Sequence, residues 1–422
     1  MAPFCRPKVL HDTLREQLEW LDIKLQHHIR LDVLKDCHKE GDILSIEELR
    51  AKHDRYHLVR SCPRIIHPAH ALVVQLPHRP GLIDQQIQTH STEHYTVFDH
   101  DASFIQRQLD AWFQTTKHNK KQAKQDLKLI QLSQDKFHVV RKINEGGMAH
   151  IYLVQNYLST MLVLKIQQPA HAWEYYILSQ LKQRAINGFH LLGLHGFYRF
   201  TDRSFLIMDY VRHGTLLDAL NLYRPQHNAM PESVVLLLTL QLLKQLYLLH
   251  WQMSITHNDL KLDNVMVCLS DQDMVGIMLV DYGYAIDTRI IGGHHTLCKA
   301  NWPPACPASD FPLLNKAYYP VHADYWQLAT MVHWLLFGCP MRTLTEKHSY
   351  RIQQKIKRYW HRQLWNRFFQ FMLNPPVPKQ DAIRSLLSQF EMIVYQDVFE
   401  NNKSDLKAFV ALLLDKHRVD ER

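Results

Sequence analysis

The stretch His257–Asn264 constrains the fold of this chain more than any other part of the sequence. It reads His-Asn-Asp-Leu-Lys-Leu-Asp-Asn and follows a long apolar run that is typical of a buried helix. The apolar residues Val265–Cys268 come next and predict a short strand. After a second apolar pair, Leu279 and Val280, the chain enters Asp281–Gly283, which reads Asp-Tyr-Gly. Two polar segments, His257–Asn264 and Asp281–Gly283, therefore each follow an apolar segment of the chain.

This order and spacing are typical of the catalytic loop and the metal-binding loop of protein kinases. Phosphoryl transfer needs a carboxylate near the incoming hydroxyl group, and Asp259 would supply it. It needs oxygen ligands for Mg²⁺, for which Asn264 and Asp281 are suited, and a cation on the migrating phosphate, for which Lys261 is suited. A chance loop rich in Asp and Asn is the alternative for either group alone. The two groups together favour ATP- and Mg²⁺-dependent phosphoryl transfer.

One lysine upstream of these loops lies inside an apolar predicted strand. Lys165 belongs to Met161–Ile166, and burying its ammonium group is costly unless a partner neutralises it. Glu174 follows nine residues later, at the start of a predicted helix. We expect Glu174 to fix the ammonium group of Lys165, which would hold the α- and β-phosphates of the nucleotide. A surface lysine at the end of a strand is the alternative.

A tight turn between the predicted strands Phe137–Ile143 and Ile151–Val154 lacks bulky side chains near its bend. Such a turn lets backbone N–H groups approach phosphates. Gly146 occupies a usual glycine position, and Ala149 replaces the third glycine. Asn144 replaces the first, at a position where Asn tolerates a left-handed backbone. Taken alone, the turn also fits an ordinary hairpin.

The apolar run Phe205–Val211 predicts a strand that leads into the connection between two lobes. Met208 would close the back of an adenine pocket, and the backbone of Asp209 and Val211 would bond the edge of the base. We expect the nucleotide to contact these residues: Asn144, Glu145, Gly146, Gly147, Ala149, Ile151, Val163, Lys165, Met208, Asp209, Val211 and Met266.

Further segments repeat the pattern of one group of kinases. They are Val163–Ala170, Trp173–Ile177, Gly214–Tyr223, Asp281–Asp287, Asp324–Trp326, Leu336–Gly338, Leu364–Phe369 and Met372–Asn374. With them, the chain from Phe137 to Lys416 resembles the BUB family of mitotic spindle-checkpoint serine/threonine kinases. The resemblance implies an α+β, bilobal protein-kinase fold with a small β-rich N-lobe and a large helical C-lobe.

The predicted domains follow from this fold. Residues 136–211 form the N-lobe, residues 212–422 form the C-lobe, and residues 1–135 form a helical and irregular extension that packs on the N-lobe. Within the extension we predict helices at His11–Leu34 and Phe104–Phe113, an irregular segment at Pro63–Pro80 and an exposed basic helical face or linker at Lys117–Lys128. In the C-lobe, Asp324 begins a helix and is placed to bond backbone amides of the catalytic loop from below.

The resemblance also implies a function. It implies phosphorylation of Ser or Thr in protein substrates with ATP and Mg²⁺, with a histone tail as substrate for the catalytically active branch. It implies checkpoint and kinetochore proteins as partners, and residence in the nucleus, the cytoplasm and, in mitosis, the kinetochore. Members that have lost catalysis act as scaffolds, which is the alternative here, and a small-molecule phosphotransferase is a third possibility. We expect no direct contact with nucleic acid or membrane.

Two departures from ordinary kinases concern regulation and substrate binding. Asn258 stands where many kinases carry an Arg that reads a phosphate on the activation segment, so we expect no switching by such a phosphate. The usual Ala-Pro-Glu end of that segment is absent, and the nearby Pro303–Pro307 offers no Glu. An ion pair that usually anchors the peptide-binding shelf is therefore missing, and substrate recognition is expected to be unorthodox.

Composition agrees with a globular chain in a reducing compartment. The 422 residues are 46% hydrophobic and 21% charged, which allows a sizeable core, and the net charge is +8. The seven cysteines form no CxxC pair, so we expect free thiols. The most apolar run, Val234–Leu249, is interrupted by polar residues and predicts a buried helix rather than a membrane span.

Overall fold

A computed structural model of the chain describes residues 95–115, 128–145, 149–223, 229–270, 274–290, 293–295, 318–346 and 349–420. The predictions for His11–Leu34, Pro63–Pro80 and almost all of Lys117–Lys128 lie outside these residues. In the described part, a sheet-rich lobe precedes a helical lobe, which confirms the predicted α+β, bilobal fold.

The first lobe is built on a seven-stranded sheet. Its strands are β1 (Tyr95–Val97), β2 (Leu129–Leu132), β3 (Asp135–Glu145), β4 (Ala149–Gln155), β5 (Met161–Gln167), β6 (Leu194–Arg199) and β7 (Ser204–Asp209). They lie in the order β1-β6-β7-β5-β4-β3-β2. Strands β2, β3, β4 and β5 are consecutive along the chain, and each pairs antiparallel with the next. A helix, α2 (Trp173–Arg184), connects β5 to β6 and covers one face of the sheet.

Part of the predicted extension belongs to this sheet. Strand β1 pairs in parallel with β6, and β2 pairs with β3. Between them, helix α1 (Ser103–Thr115) confirms the helix predicted at Phe104–Phe113. Its apolar side chains recur at helical spacing and share a core with strand residues; the buried residues of this region are Ala102, Ile105, Leu109, Ile130 and Leu132. The sheet therefore includes strands on both sides of the boundary predicted at residue 136.

The second lobe is mainly helical. Its helices are α3 (Leu216–Tyr223), α4 (Glu232–Tyr247) with a π-helical turn Leu248–Gln252, α5 (Pro320–Phe337), α6 (Arg362–Leu373), α7 (Gln380–Ile393) with a π-helical segment Val394–Asn401, and α8 (Lys403–Asp420). Its strands form three antiparallel pairs: β8 (Ile255–Thr256) with β11 (Ile286–Asp287), β9 (Val265–Leu269) with β10 (Val275–Leu279), and β12 (Thr343–Glu346) with β13 (Ser349–Ile352).

Helix α4 is apolar on nearly all sides because it lies in the middle of this lobe. The helix Glu232–Gln252 is long and apolar enough to cross a membrane, but 89% of its apolar window is buried inside the protein. This burial confirms the core helix predicted at Val234–Leu249. Helix α5, which packs on α4, begins with Pro320 and ends at Gly338, whose φ of 69° suits glycine at a helix end.

The aromatic residues of α6 lie in the core, as predicted. Trp365 is fully buried, and its indole N–H donates to Glu232 Oε1 at 2.7 Å. The backbone N–H of His361 donates to the same oxygen at 2.7 Å. Burial raises the pKa of Glu232, and these hydrogen bonds oppose that rise. The first turn of α4 is thereby joined to the start of α6.

We expect Trp365→Phe to lower the free energy of unfolding by about 1–3 kcal/mol, because Glu232 Oε1 loses a buried donor. The control is Trp334→Phe, since the indole N–H of Trp334 is buried without a hydrogen-bond partner among the described residues. Chemical denaturation of both variants measures the difference. Equal losses in the two variants would contradict the energetic role of this hydrogen bond.

Candidate active site

The two lobes meet at a buried lysine. Lys165 lies in β5, and its ammonium group donates to Glu174 Oε2 at 2.7 Å and to Asp281 Oδ1 at 2.7 Å. Burial opposes the charge on this ammonium group, but the two carboxylates outweigh burial and raise the pKa of Lys165. A charged lysine is therefore stable inside the protein because it has two anionic partners.

Helix α2 and the turn after β10 supply those carboxylates. Glu174 lies in the first turn of α2, and burial raises its pKa despite the charge of Lys165. Asp281 has a left-handed backbone, with φ 64° and ψ 71°. Burial disfavours its charge, but the charge and hydrogen bond of Lys165 prevail and lower the pKa of Asp281 to about 2. Asp281 is thus held as a carboxylate.

The catalytic-loop residues form a second cluster around Asp259. Lys261 Nζ donates to Asp259 Oδ2 at 2.8 Å, and Asn264 Nδ2 donates to the same oxygen at 2.9 Å. Burial raises the pKa of the Asp259 carboxyl, and the nearby Lys261 opposes that rise. These bonds fix the orientation of the carboxylate that was predicted to receive the substrate proton.

The pairing of β9 with β10 brings the two clusters together. Val265 faces Leu279 in this pair, and the backbone N–H of Val280 donates to Asn264 O at 3.0 Å. Asn264 therefore lies just before β9 and Asp281 just after β10, at the same end of this antiparallel pair. The amide nitrogen of Asn264 is bonded to Asp259, so its amide oxygen and the Asp281 carboxylate are the oxygen donors that suit Mg²⁺. Two protein ligands are enough for Mg²⁺, which usually keeps waters and phosphate oxygens as its other ligands.

Helix α5 supports the catalytic loop from below, as predicted for Asp324. This fully buried carboxylate accepts from the backbone N–H groups of His257 at 2.8 Å and Asn258 at 2.7 Å. His250 Nε2 lies 2.7 Å from the same carboxylate. Three donors thus converge on one side chain, which accounts for a buried aspartate at this position.

Gln327 is a second support that sequence reasoning missed. Its Oε1 accepts from Leu260 N at 2.9 Å, and its Nε2 donates to Asn258 O at 2.9 Å. The available signal was its spacing from Asp324, because residues three apart share one face of a helix. Gln327 therefore fixes the backbone on both sides of Asp259.

Asn258 explains the first departure from ordinary kinases. It is fully buried with φ 60°, and its Nδ2 donates to Thr256 Oγ1 at 2.9 Å. Asn is one of the few residues that tolerate this left-handed backbone. Its short, buried amide stabilises the loop from within. The segment Pro303–Pro307, which concerns the second departure, lies outside the described residues.

Most of the predicted nucleotide contacts that the structure describes lie in β3, β4, β5, β7 and β9, whereas Val211 follows β7. Ile151 faces Lys165 across β4 and β5, and Val163 faces Met208 across β5 and β7. Met266 in β9 forms a bridge with Thr215 at the start of α3. Strand pairing thus places several of these residues opposite one another, and their contacts with a nucleotide stay a prediction.

The turn between β3 and β4 is described only in part, because Gly146 and Gly147 lie outside the described residues. Glu145 ends β3 and Ala149 begins β4. Asn144 does not use the left-handed backbone that Asn tolerates, since it has no positive φ and pairs with Ile151 in the sheet. Continued strand pairing keeps Asn144 extended.

The connection between the lobes contains a feature that the sequence did not reveal. The carboxylate of Asp209 accepts from Gly193 N at 2.8 Å and lies 2.6 Å from His195 Nε2. A Cβ on Gly193 would lie 2.2 Å from Asp209 Oδ2, so any other residue here would displace the Asp209 carboxylate from this contact. Asp209 N also donates to Gly193 O at 3.0 Å. Strand β7 ends at Asp209, so Val211 lies beyond the sheet. The strand before the connection is thereby anchored to β6.

These features define a protein kinase, and a family model described as "Protein kinase domain" matches residues 137–419. The chain therefore belongs to the protein kinase family. Its kinase domain is similar to spindle assembly checkpoint serine/threonine-protein kinase BUB1 of Saccharomyces cerevisiae, with 29% identity over 273 residues, 59% of this chain and 26% of that protein. It is also similar to mitotic checkpoint serine/threonine-protein kinase BUB1 of Mus musculus, with 26% identity over 303 residues, 67% of this chain and 28% of that protein.

The predicted resemblance to the BUB family is confirmed. The chain spans about a quarter of the length of these two relatives. Among solved structures, the BubR1 kinase domain superposes with a TM-score of 0.62 at 20% identity, covering 79% of this chain and 96% of that one. This likeness shows that the two share the fold.

We expect Asp324→Asn to destabilise the protein and loosen the catalytic loop. An NH₂ group then replaces one carboxylate oxygen and faces other donors. The free energy of unfolding should fall by about 1–3 kcal/mol for each buried donor that loses its acceptor. Hydrogen exchange of residues 255–264 should quicken and the melting temperature should fall. The matched control is Asp263→Asn, because Asp263 is an exposed residue of the same loop. Equal behaviour of the two variants would contradict the supporting role of Asp324.

Proposed function

We propose that this protein is a Mg·ATP-dependent protein kinase that transfers the γ-phosphate of ATP to Ser or Thr hydroxyl groups of proteins in the mitotic spindle checkpoint. The observation that carries the proposal is the double contact of buried Lys165 with Glu174 and Asp281, beside the cluster around Asp259. Protein kinases require the lysine–glutamate pair to position the nucleotide and the aspartate to hold the metal.

Each polar group has a role in the proposed reaction. Lys165, held by Glu174, binds the α- and β-phosphates. Asp259 orients the substrate hydroxyl and accepts its proton as the oxygen forms a bond to phosphorus and the bond to the leaving ADP oxygen breaks. Lys261 stabilises charge on the transferred phosphoryl group. Mg²⁺, held by Asn264 and Asp281, would neutralise the charge of the phosphates.

The substrate, partners and location in this proposal come from the resemblance to the BUB kinases. We propose a protein substrate, with a histone tail as the candidate, and partners among checkpoint and kinetochore proteins. We propose residence in the nucleus and cytoplasm, and at the kinetochore in mitosis. A kinase-fold scaffold with little turnover is the second candidate, favoured by Ala149 in place of the third loop glycine and by the absence of the usual Ala-Pro-Glu sequence.

We expect Asp259→Asn to abolish phosphate transfer to histone, with a loss of about 10²–10⁴-fold, while binding of ATP changes little. The amide cannot accept the substrate proton, whereas the nucleotide is held mainly by other residues. Radiolabelled phosphate transfer and calorimetric binding of Mg·ATP measure the two effects. The control is Asp381→Asn, at an exposed position of α7. Equal transfer by the wild type and Asp259→Asn would support the scaffold instead.

The pH dependence tests the role of Lys261. Asp259 acts as a base only when ionised, so activity falls as pH falls through its pKa. Burial raises this pKa above its usual value, and Lys261 lowers it. We therefore expect Lys261→Met to move the acid limb of the kcat/KM profile to higher pH, in addition to lowering its maximum. Lys182→Met, which changes an exposed lysine of α2, should leave the limb in place. An unchanged limb in Lys261→Met would refute the coupling.

A further inference from the structure

Helix α2 is joined at both ends to the segment that follows Asp281. At its start, the indole N–H of Trp173 donates to Ala285 O at 2.9 Å. At its end, Arg184 Nη2 lies 2.5 Å from the Asp287 carboxylate. Trp173 immediately precedes Glu174, so the first link lies beside the contact with Lys165. Two contacts of this kind fix both the position and the direction of a short helix.

The pair of Arg184 and Asp287 is buried and well satisfied. The side chain of Asp287 is 1% exposed and that of Arg184 is 12% exposed. Arg184 also donates to Met253 O at 2.8 Å and to Gln180 Oε1 at 2.7 Å. The other carboxylate oxygen of Asp287 accepts from Arg289 N at 3.1 Å. A buried ion pair with its remaining groups bonded is hard to break, because either partner alone would be left as an uncompensated charge.

These bonds connect α2 to both segments that flank the catalytic residues. Asp287 lies in β11, which pairs with β8 so that Asp287 faces Ile255. Met253 stands shortly before β8, and β8 leads into the catalytic loop. One arginine therefore contacts the chain as it enters that loop and as it leaves the turn that contains Asp281.

The cation of this link comes from α2 and not from the catalytic loop. In many kinases an Arg before the catalytic Asp binds a phosphate on the activation segment, but here the buried amide of Asn258 occupies that position. In this chain the cation comes from α2, and its anion is a side chain that is always present. The link to β11 therefore needs no phosphate.

We propose that Arg184 is a positioning residue, which with Asp287 and Trp173 holds α2 so that Glu174 stays on Lys165 without phosphorylation of the activation segment. This inference rests on the proposed function. It deepens that function by naming what keeps the site assembled. Arg184 acts through Glu174 and Lys165 and does not touch the substrate.

Steady-state kinetics of four variants test the proposal. Arg184→Met should lower kcat/KM for ATP roughly ten-fold, mainly through a higher KM, because displaced Glu174 no longer fixes Lys165. A purely structural role would reduce the folded fraction and lower kcat while KM stays the same. Arg184→Lys should retain part of the activity, since it keeps the charge. Trp173→Phe should raise KM for ATP through loss of its indole N–H. Lys182→Met changes an exposed residue of the same helix that makes none of these contacts, so it should match the wild type.

Hydrogen exchange separates this proposal from the proposed function. In Arg184→Met and in Asp287→Asn, which keeps the shape of the side chain, amides of α2 should exchange faster than in Lys182→Met. Faster exchange supports the proposed role of Arg184 and Asp287 in holding α2, even if the wild type transfers no phosphate. Unchanged exchange and unchanged KM would overturn it. If Arg184→Met fails to fold, Asp287→Asn and Arg184→Lys decide by the same readouts. Loss of wild-type activity after phosphatase treatment would also overturn it.

Discussion

The contact of Lys165 with Glu174 and Asp281 is the interaction on which the rest of the structure depends. It joins a strand of the first lobe, helix α2 and the turn after β10 at one buried point. Bringing the charges of Lys165 and Glu174 out of water is costly, and only close opposite charges with hydrogen bonds offset that cost. The site therefore exists only when the three elements are assembled together, so the integrity of the cleft and the packing of the lobes are one requirement.

The helical lobe keeps this point in place by constraining backbone that would otherwise be unfavourable. Asn258, inside the loop that carries Asp259, and Asp281, just after β10, both have a left-handed backbone. Such residues persist where the surroundings over-determine them. Asp324 and Gln327 do so by bonding successive backbone groups of the loop. The buried helix α4 in turn supports α5, which carries both side chains.

The chain before residue 136 contributes to the same arrangement. Strand β1 adds to the edge of the sheet beside β6, where an unpaired edge would otherwise be exposed. Its Tyr95 ring stacks 5.4 Å from Phe197 and lies 5.4 Å from Tyr175 of α2. Helix α2 is thus contacted by β1 of the sheet as well as by β11. These contacts constrain the helix that carries Glu174, the partner of Lys165.

The sequence by itself determined the fold class, most strands and helices, and the order of the polar residues of the site. Periodicity and turn residues report local structure, and Asp259, Asn264 and Asp281 stand at short, typical distances from one another. Tertiary structure alone decided that Lys165 has two acceptors, that Arg184 pairs with Asp287, and that Asp209 accepts from the backbone N–H of Gly193. The physical reason is that these partners are distant along the chain, 116 residues for Lys165 and Asp281 and 103 for Arg184 and Asp287. A sequence pattern reports neighbours within an element, whereas contacts between elements arise only from how the elements pack.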